Sequence, residues 1–128
     1  MADVNRGNRP LSPHLTIYRP QITSVLSILM RITGVGMTLG SLLAVWWFLA
    51  AASGPEYYDY VNGIVTSWLG GLIMLASLWA LWYHFCNGLR YLFWFEAKHL
   101  DVDKVTRSGQ AVVAASVILT LLTLIIIL

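Results

Sequence analysis

Three long stretches of the sequence, residues 32–55, 60–89 and 108–128, contain no Asp, Glu, Lys or Arg. A helix needs about 20 apolar residues to cross the hydrocarbon core of a bilayer, so each stretch is long enough to span a membrane. The composition agrees, since 58% of the 128 residues are hydrophobic and only 11% are charged, whereas soluble domains have about 25% charged residues. The sequence therefore predicts an all-α integral membrane protein with three transmembrane helices, and it excludes a soluble globular enzyme.

The charged, Gly and Pro residues around these stretches give the expected boundaries. We expect an N-terminal segment, three transmembrane helices and two loops. The segment covers residues 1–22, the helices cover residues 23–52, 62–95 and 108–128, and the loops cover residues 53–61 and 96–107. The second helix is longer than the hydrocarbon core requires, so it should tilt or project from the membrane.

The distribution of charge predicts the orientation of the helices. The Lys and Arg residues precede or open the first helix, close the second, or lie in the loop after it: Arg6, Arg9, Arg19, Arg31, Arg90, Lys98, Lys104 and Arg107. The first loop has no basic residue and contains the acids Glu56 and Asp59. Because basic loops stay in the cytoplasm, we expect the N-terminus and the second loop there, with the first loop and the C-terminus outside.

His84 lies within the second predicted helix, where an ionisable side chain is costly and therefore suggests a function. Imidazole is a common axial ligand of haem iron. Gly88 and Tyr91, four and seven residues later, share its helix face, and Gly88 would let a flat macrocycle approach the backbone. The alternative is a histidine that only packs against a neighbouring helix and bonds to it. These residues leave both interpretations open.

Ser27 and Arg31 are four residues apart at the start of the first helix, so their side chains share a face. A hydroxyl and a guanidinium together, where water meets lipid, could bind a polar headgroup. The alternative is that Arg31 only anchors the helix by reaching lipid phosphates. Arg90 lies near the same membrane surface, where a cation could contact a haem propionate.

Other chemical motifs are missing from the sequence. It has no phosphate-binding glycine loop, no cluster of Cys and His at metal-binding spacing, and a single cysteine, Cys86, which cannot form an intrachain disulfide. We expect the lipid bilayer and other membrane subunits among the partners, and no nucleic acid.

Three sequence blocks together resemble one protein family. They are RPLSPHLTIY at residues 9–18, SILMRITG at residues 27–34 and HFCNGLRY at residues 84–91. Their order, their spacing and the layout of three spans resemble the cytochrome b556 membrane-anchor subunits of succinate dehydrogenase, respiratory complex II. The resemblance covers nearly the whole chain.

The resemblance implies specific roles for residues. His84 is expected to be one axial ligand of the iron of haem b, and Ser27 and Arg31 to contribute to the ubiquinone site. The family usually has His where this chain has Met30 and Tyr91, so Arg31 and Arg90 are the cations that remain for possible propionate contacts.

The implied function is that of a membrane-anchor cytochrome b subunit of succinate:ubiquinone oxidoreductase, which passes electrons from succinate to quinone. No residue of the chain is expected to catalyse succinate oxidation, which belongs to a flavoprotein subunit and an iron–sulfur subunit, the latter near the N-terminal tail. A second anchor subunit should share the helical bundle and supply the other haem ligand, since His14 and His99 lie outside the spans.

The expected location is the bacterial inner (cytoplasmic) membrane, with a periplasmic C-terminus. The alternatives are the anchor of a fumarate reductase and a helical membrane scaffold without a cofactor.

Overall fold

The structure is a computed structural model that describes residue 14 and residues 16–96 and 101–127. In this part of the chain there are four α-helices: α1 (Ile22–Ser53), α2 (Pro55–Val65), α3 (Trp68–Phe95) and α4 (Val102–Ile127). The helices α1, α3 and α4 contain 32, 28 and 26 residues and are apolar enough to cross a membrane. The all-α class and the three spans predicted from the charge-free stretches are confirmed.

The loop predicted over residues 53–61 is wrong, because most of it belongs to α2. Gly54 separates α1 from α2 with φ of 133°, a conformation that an L side chain rarely adopts. Pro55 then occupies the first helical turn and Glu56 follows it. Proline suits that position because its missing N–H has no helical partner there, and an acidic side chain is favourable near a helix N-terminus.

The helix predicted over residues 62–95 is divided in the structure. The chain leaves α2 at Thr66, and the Ser67 hydroxyl caps α3 by accepting a bond from the Gly70 amide at 3.2 Å. Gly70 lies so close to α2 that a Cβ there would collide with the backbone carbonyl of Val65. The sequence signals for this break are a capping serine followed by two glycines.

The second predicted loop, residues 96–107, is shorter than expected because α4 already begins at Val102. Asp103 lies in the first turn of α4, where its negative charge interacts favourably with the positive end of the helix dipole. Lys98 and His99 lie outside the described residues.

The central helix is α3, which packs against α1 on one side and α4 on another, while α2 folds back onto α1. The buried positions of the long helices are mostly small or polar, as in Thr33, Gly40, Ala80 and Ser116. Large apolar side chains point outward along all three helices. This arrangement is typical of transmembrane bundles, in which small residues allow close approach and lipid contacts the large ones.

The described part of the N-terminal segment makes a turn before α1. The backbone amides of Ile17 and Tyr18 both donate to the carbonyl of His14, and the Tyr18 hydroxyl donates to the Ser24 side chain at 2.8 Å. The segment is therefore attached to the first turn of α1, at the same end of the bundle as the α3–α4 connection. Most of the block at residues 9–18 that carries the family resemblance lies outside the described residues.

Candidate functional site

The imidazole of His84 is held by one of its two nitrogens. Nδ1 lies 3.2 Å from the Ala80 carbonyl oxygen and 3.1 Å from the Thr33 hydroxyl of α1. The Thr33 hydroxyl also lies 2.7 Å from the Leu29 carbonyl. A carbonyl can only accept and a hydroxyl has one proton, so the arrangement that satisfies every group has Thr33 donating to Leu29 and Nδ1–H donating to Ala80 and Thr33.

This assignment leaves the lone pair of Nε2 for a ligand. Metal-binding histidines are commonly fixed in this way, with the second ring nitrogen donating to a carbonyl or another acceptor. Nε2 approaches α1 at Gly34, where an added Cβ would lie 3.5 Å away. The lack of a side chain at Gly34 therefore keeps Nε2 uncovered on that side.

A groove of about 750 Å³ lies between α1 and α3 and extends along α3 to Ala80, one helical turn before His84, which is not itself a lining residue. Two of its lining residues, Thr33 and Ala80, are the hydrogen-bond partners of His84. The other lining residues are largely apolar and include Leu29, Ile32, Gly36, Leu39, Trp46, Ile73 and Trp79. On the His84 face of α3, an added Cβ at Gly88 would meet no atom within 4 Å. An imidazole whose Nε2 has no partner among the described residues, close to an apolar groove and an open glycine, fits an axial ligand of haem.

Ser27 and Arg31 lie on the same stripe of α1 as Gly34, within about 60° of one another. At 1.5 Å per residue, Arg31 is about 5 Å and Ser27 about 10 Å from Gly34 along the helix axis. The hydroxyls of Thr33, Thr38 and Ser41 donate to carbonyls of their own helix.

No hydrogen bond of the Ser27 hydroxyl, and no bond or ion pair of the exposed Arg31 guanidinium, is found among the described residues. Both groups therefore keep polar atoms for a ligand.

Arg90, the other cation singled out in the sequence, is bonded to α4. Only 6% of the residue is exposed, and its guanidinium is directed to α4, donating to the Ser108 hydroxyl at 3.0 Å and to the Val105 carbonyl at 2.9 Å. A longer bond of 3.4 Å reaches Asn87, and the ring of Trp94 stacks 4.2 Å from the guanidinium carbon. Contact of Arg90 with a haem propionate stays a prediction, and in this chain the residue joins α3 to α4.

Sequence reasoning missed the structural role of Arg90 and the role of Thr33. Two signals for the Arg90 contact were present, Ser108 and Gly109 at the start of the third charge-free stretch. An added Cβ at Gly109 would collide with the Leu26 side chain and would be in ordinary contact with the Arg90 guanidinium at 3.5 Å, so the glycine allows the close packing around Arg90. Threonine is ordinary in membrane helices, and nothing in the sequence distinguished Thr33.

The two positions that depart from the family pattern have apolar or aromatic surroundings. Met30 packs against a buried cluster formed by Leu26, Tyr83 and Val112. Tyr91 packs on Trp94, with 5.4 Å between the ring centroids. Neither position supplies a cation.

The chain was also compared with known proteins. Residues 5–123 match the family described as succinate dehydrogenase/fumarate reductase transmembrane subunit. The chain is 48% identical to the succinate dehydrogenase cytochrome b556 subunit of Paracoccus denitrificans, over 98% of this chain and 97% of that protein.

More distant relatives cover the chain almost as fully. The chain is 40% identical to the succinate dehydrogenase cytochrome b556 subunit of Rickettsia conorii, over 91% of this chain and 90% of that protein. It is 37% identical to the succinate dehydrogenase cytochrome b560 subunit of Marchantia polymorpha, over 92% of this chain and 90% of that protein. With three transmembrane helices and this extent of similarity, the chain belongs to the succinate dehydrogenase/fumarate reductase transmembrane-subunit family.

Proposed function

We propose that this chain is the membrane-anchor cytochrome b subunit of a succinate:ubiquinone oxidoreductase, and that His84 is one axial ligand of its haem b. The observation that carries the proposal is the fixed imidazole, whose Nδ1 is held by Ala80 and Thr33 while Nε2 stays free. When bound, the haem would supply a one-electron redox centre within the membrane. The chain's own contribution is to hold the ring in one tautomer and orientation.

The second axial ligand would come from another membrane-anchor subunit. The other histidines of this chain, His14 and His99, precede α1 or follow α3. The α1–α3 groove is apolar and open, and Trp79, which lines it, has a buried indole N–H without an acceptor among the described residues. A helix of the partner subunit and the macrocycle would together cover this surface. The two subunits would then share one helical bundle.

Ser27 and Arg31 are proposed to bind the head of ubiquinone at the end of α1 where water is accessible. Reduction of the quinone takes two electrons, here from an iron–sulfur subunit, and two protons from water. A guanidinium stabilises negative charge on a quinone oxygen as it develops, and the Ser27 hydroxyl donates a second hydrogen bond. Both act more strongly on the reduced species than on the neutral carbonyl, which is the difference that lowers a barrier.

Succinate oxidation is assigned to a flavoprotein subunit attached through the iron–sulfur subunit, with no catalytic residue in this chain. The asymmetric distribution of Lys and Arg favours an orientation with the N-terminus and quinone site on the cytoplasmic side, and the bacterial relatives favour the inner membrane of a bacterium. The names of the relatives quoted above favour succinate dehydrogenase over a fumarate reductase anchor.

The test is purification of the complex through a tag on this chain in mild detergent, followed by spectroscopy of the eluate. The proposal predicts flavin, iron–sulfur and b-type haem signals together. An eluate with flavin and iron–sulfur signals but no haem would contradict the role of His84. An eluate with none of the three would indicate a membrane scaffold without a cofactor.

A further inference from the structure

A second groove, of about 510 Å³, lies between α3 and α4 on the other side of α3 from His84. Its α3 wall includes Leu89 and Phe93, which at 100° per residue are about 140° and 180° around the helix from His84. Its α4 wall includes Ala111 and Ala115. The volume is within the roughly 300–1,000 Å³ of typical ligand sites, and the position separates this groove from the proposed haem.

Three cations line the same groove: Arg90, Lys104 and Arg107. Lys104 is paired with the Asp101 carboxylate at 2.7 Å. Arg90 has no carboxylate partner in the described part of the chain, and its guanidinium is held by the bonds to α4. Arg107 is exposed and has neither a hydrogen bond nor an ion pair to any described residue. One end of an otherwise apolar groove therefore has an excess of positive charge.

We infer that the α3–α4 groove binds an anionic phospholipid of the surrounding membrane. The phosphate would contact Arg107 and Lys104 near the membrane surface, and an acyl chain would lie along Leu89, Phe93 and Ala111. The positive charge complements a phosphate, and the apolar walls complement a hydrocarbon chain. A water-soluble anion would interact only with the positive charge. Basic pockets between transmembrane helices on the cytoplasmic side are suited to acidic lipid headgroups.

The test is native mass spectrometry of the purified complex, titrated with phosphatidylglycerol or with phosphatidylcholine of the same acyl chains. The wild-type complex should retain phosphatidylglycerol and should bind it in preference to phosphatidylcholine. The double variant Lys104→Gln/Arg107→Gln should bind it about 5-fold to 25-fold more weakly, since each basic residue near the surface contributes roughly a fivefold effect and Lys104 is partly neutralised by Asp101. The matched control Arg19→Gln removes an exposed cation at the same end of the bundle, outside the groove, and should bind as wild type does.

Four results would overturn the inference. The first is equal binding of the two lipids, and the second is unchanged phosphatidylglycerol binding by the double variant. The third comes from a photoreactive amino acid at Ala111 in the assembled complex, which should form an adduct with phospholipid, whereas an adduct with a protein subunit would mean that a protein covers the groove. Inorganic phosphate is expected to compete poorly for the groove. The fourth result is competition by phosphate equal to that of the lipid, which would show that the apolar walls contribute nothing to binding.

Discussion

The seam between α1 and α3 and the seam between α3 and α4 both contain polar side chains within a membrane, but they use them differently. At the α3–α4 seam, Arg90 donates to α4 and stacks on Trp94. At the α1–α3 seam, one nitrogen of His84 is held by Thr33 and Ala80, and the other has no hydrogen-bond partner among the described residues. Arg90 is therefore satisfied within the described part of the chain, whereas His84 keeps one nitrogen for which no described residue is a partner.

The comparison of Arg90 with His84 shows that an ionisable residue within a membrane helix is not by itself a ligand site. Such residues are expensive wherever they occur, and the chain can satisfy them internally, as it does for Arg90. His84, Ser27 and Arg31 differ from Arg90 in that each keeps a polar atom that no described residue uses.

His84→Ala should abolish the b-type haem spectrum of the complex, because no other histidine of the chain lies within a span. Membrane insertion should persist, since the substitution makes α3 more apolar. The measurement is the reduced-minus-oxidised absorption spectrum of membranes with matched subunit content. His14→Ala, at an exposed position before α1, is the control and should keep the full haem signal.

Arg90→Met should destabilise the chain by about 3 kcal/mol, because it removes hydrogen bonds from a charged donor that links α3 to α4. Thermal unfolding of the detergent-solubilised complex measures this change. Arg31→Met, at an exposed guanidinium without described partners, is the matched control and should change stability by less than about 0.5 kcal/mol. Equal destabilisation by both variants would remove the distinction between the two arginines.

Arg31→Ala should lower quinone-dependent turnover by roughly 10-fold to 100-fold while leaving succinate oxidation with an artificial electron acceptor nearly unchanged. Loss of one donor to a developing oxyanion typically costs about 100-fold or more, and water at this end of the bundle reduces the effect. Ser27→Ala should act in the same direction but more weakly, since a neutral hydrogen bond is about half as strong as a charge-assisted one.

The paired assay on the same membranes separates two roles for Arg31. Arg19→Ala, at another exposed cation near the start of α1, should leave both activities unchanged. An equal fall in both activities for Arg31→Ala would assign the residue to assembly of the complex.

Thr33→Val should weaken haem retention by about 10-fold, the lower end of the effect of removing a residue that orients a metal ligand. Valine has nearly the same shape but cannot accept the bond from His84 Nδ1. The measurements are haem content after detergent washing and the midpoint potential of the haem that remains. Thr38→Val is the control, because the Thr38 hydroxyl bonds only to the Gly34 carbonyl of its own helix, and it should behave as wild type.

Much of the fold followed from the sequence because membrane helices carry strong signals. The charge-free stretches located α1, α3 and α4, and the prediction of three spans needed no knowledge of contacts. The helix α2 was missed because Gly54 and Pro55 read as a turn, although the same pair also starts a helix. The start of α3 depended on the Ser67 cap and on close approach at Gly70, which apolar composition does not reveal.

The candidate site was predictable to the extent that its residues are chemically unusual. A histidine and an arginine within or beside apolar stretches attract notice, so His84 and Arg31 could be selected from the sequence. The direction of a side chain could not be predicted from the sequence, so the bonds of Arg90 to α4 were not foreseen. Thr33 contributes through a contact with a residue 51 positions away, which depends on the packing of α1 against α3.

The most direct test of the proposed haem site at His84, between α1 and α3, is a cryo-electron microscopy map of the assembled complex. The proposed function predicts flat macrocycle density joined to His84 Nε2 beside α1 and α3, with a histidine of a second anchor subunit on its other face and Arg90 still bonded to α4. A map in which protein side chains cover His84 Nε2, or in which the macrocycle lies elsewhere in the membrane domain, would contradict it.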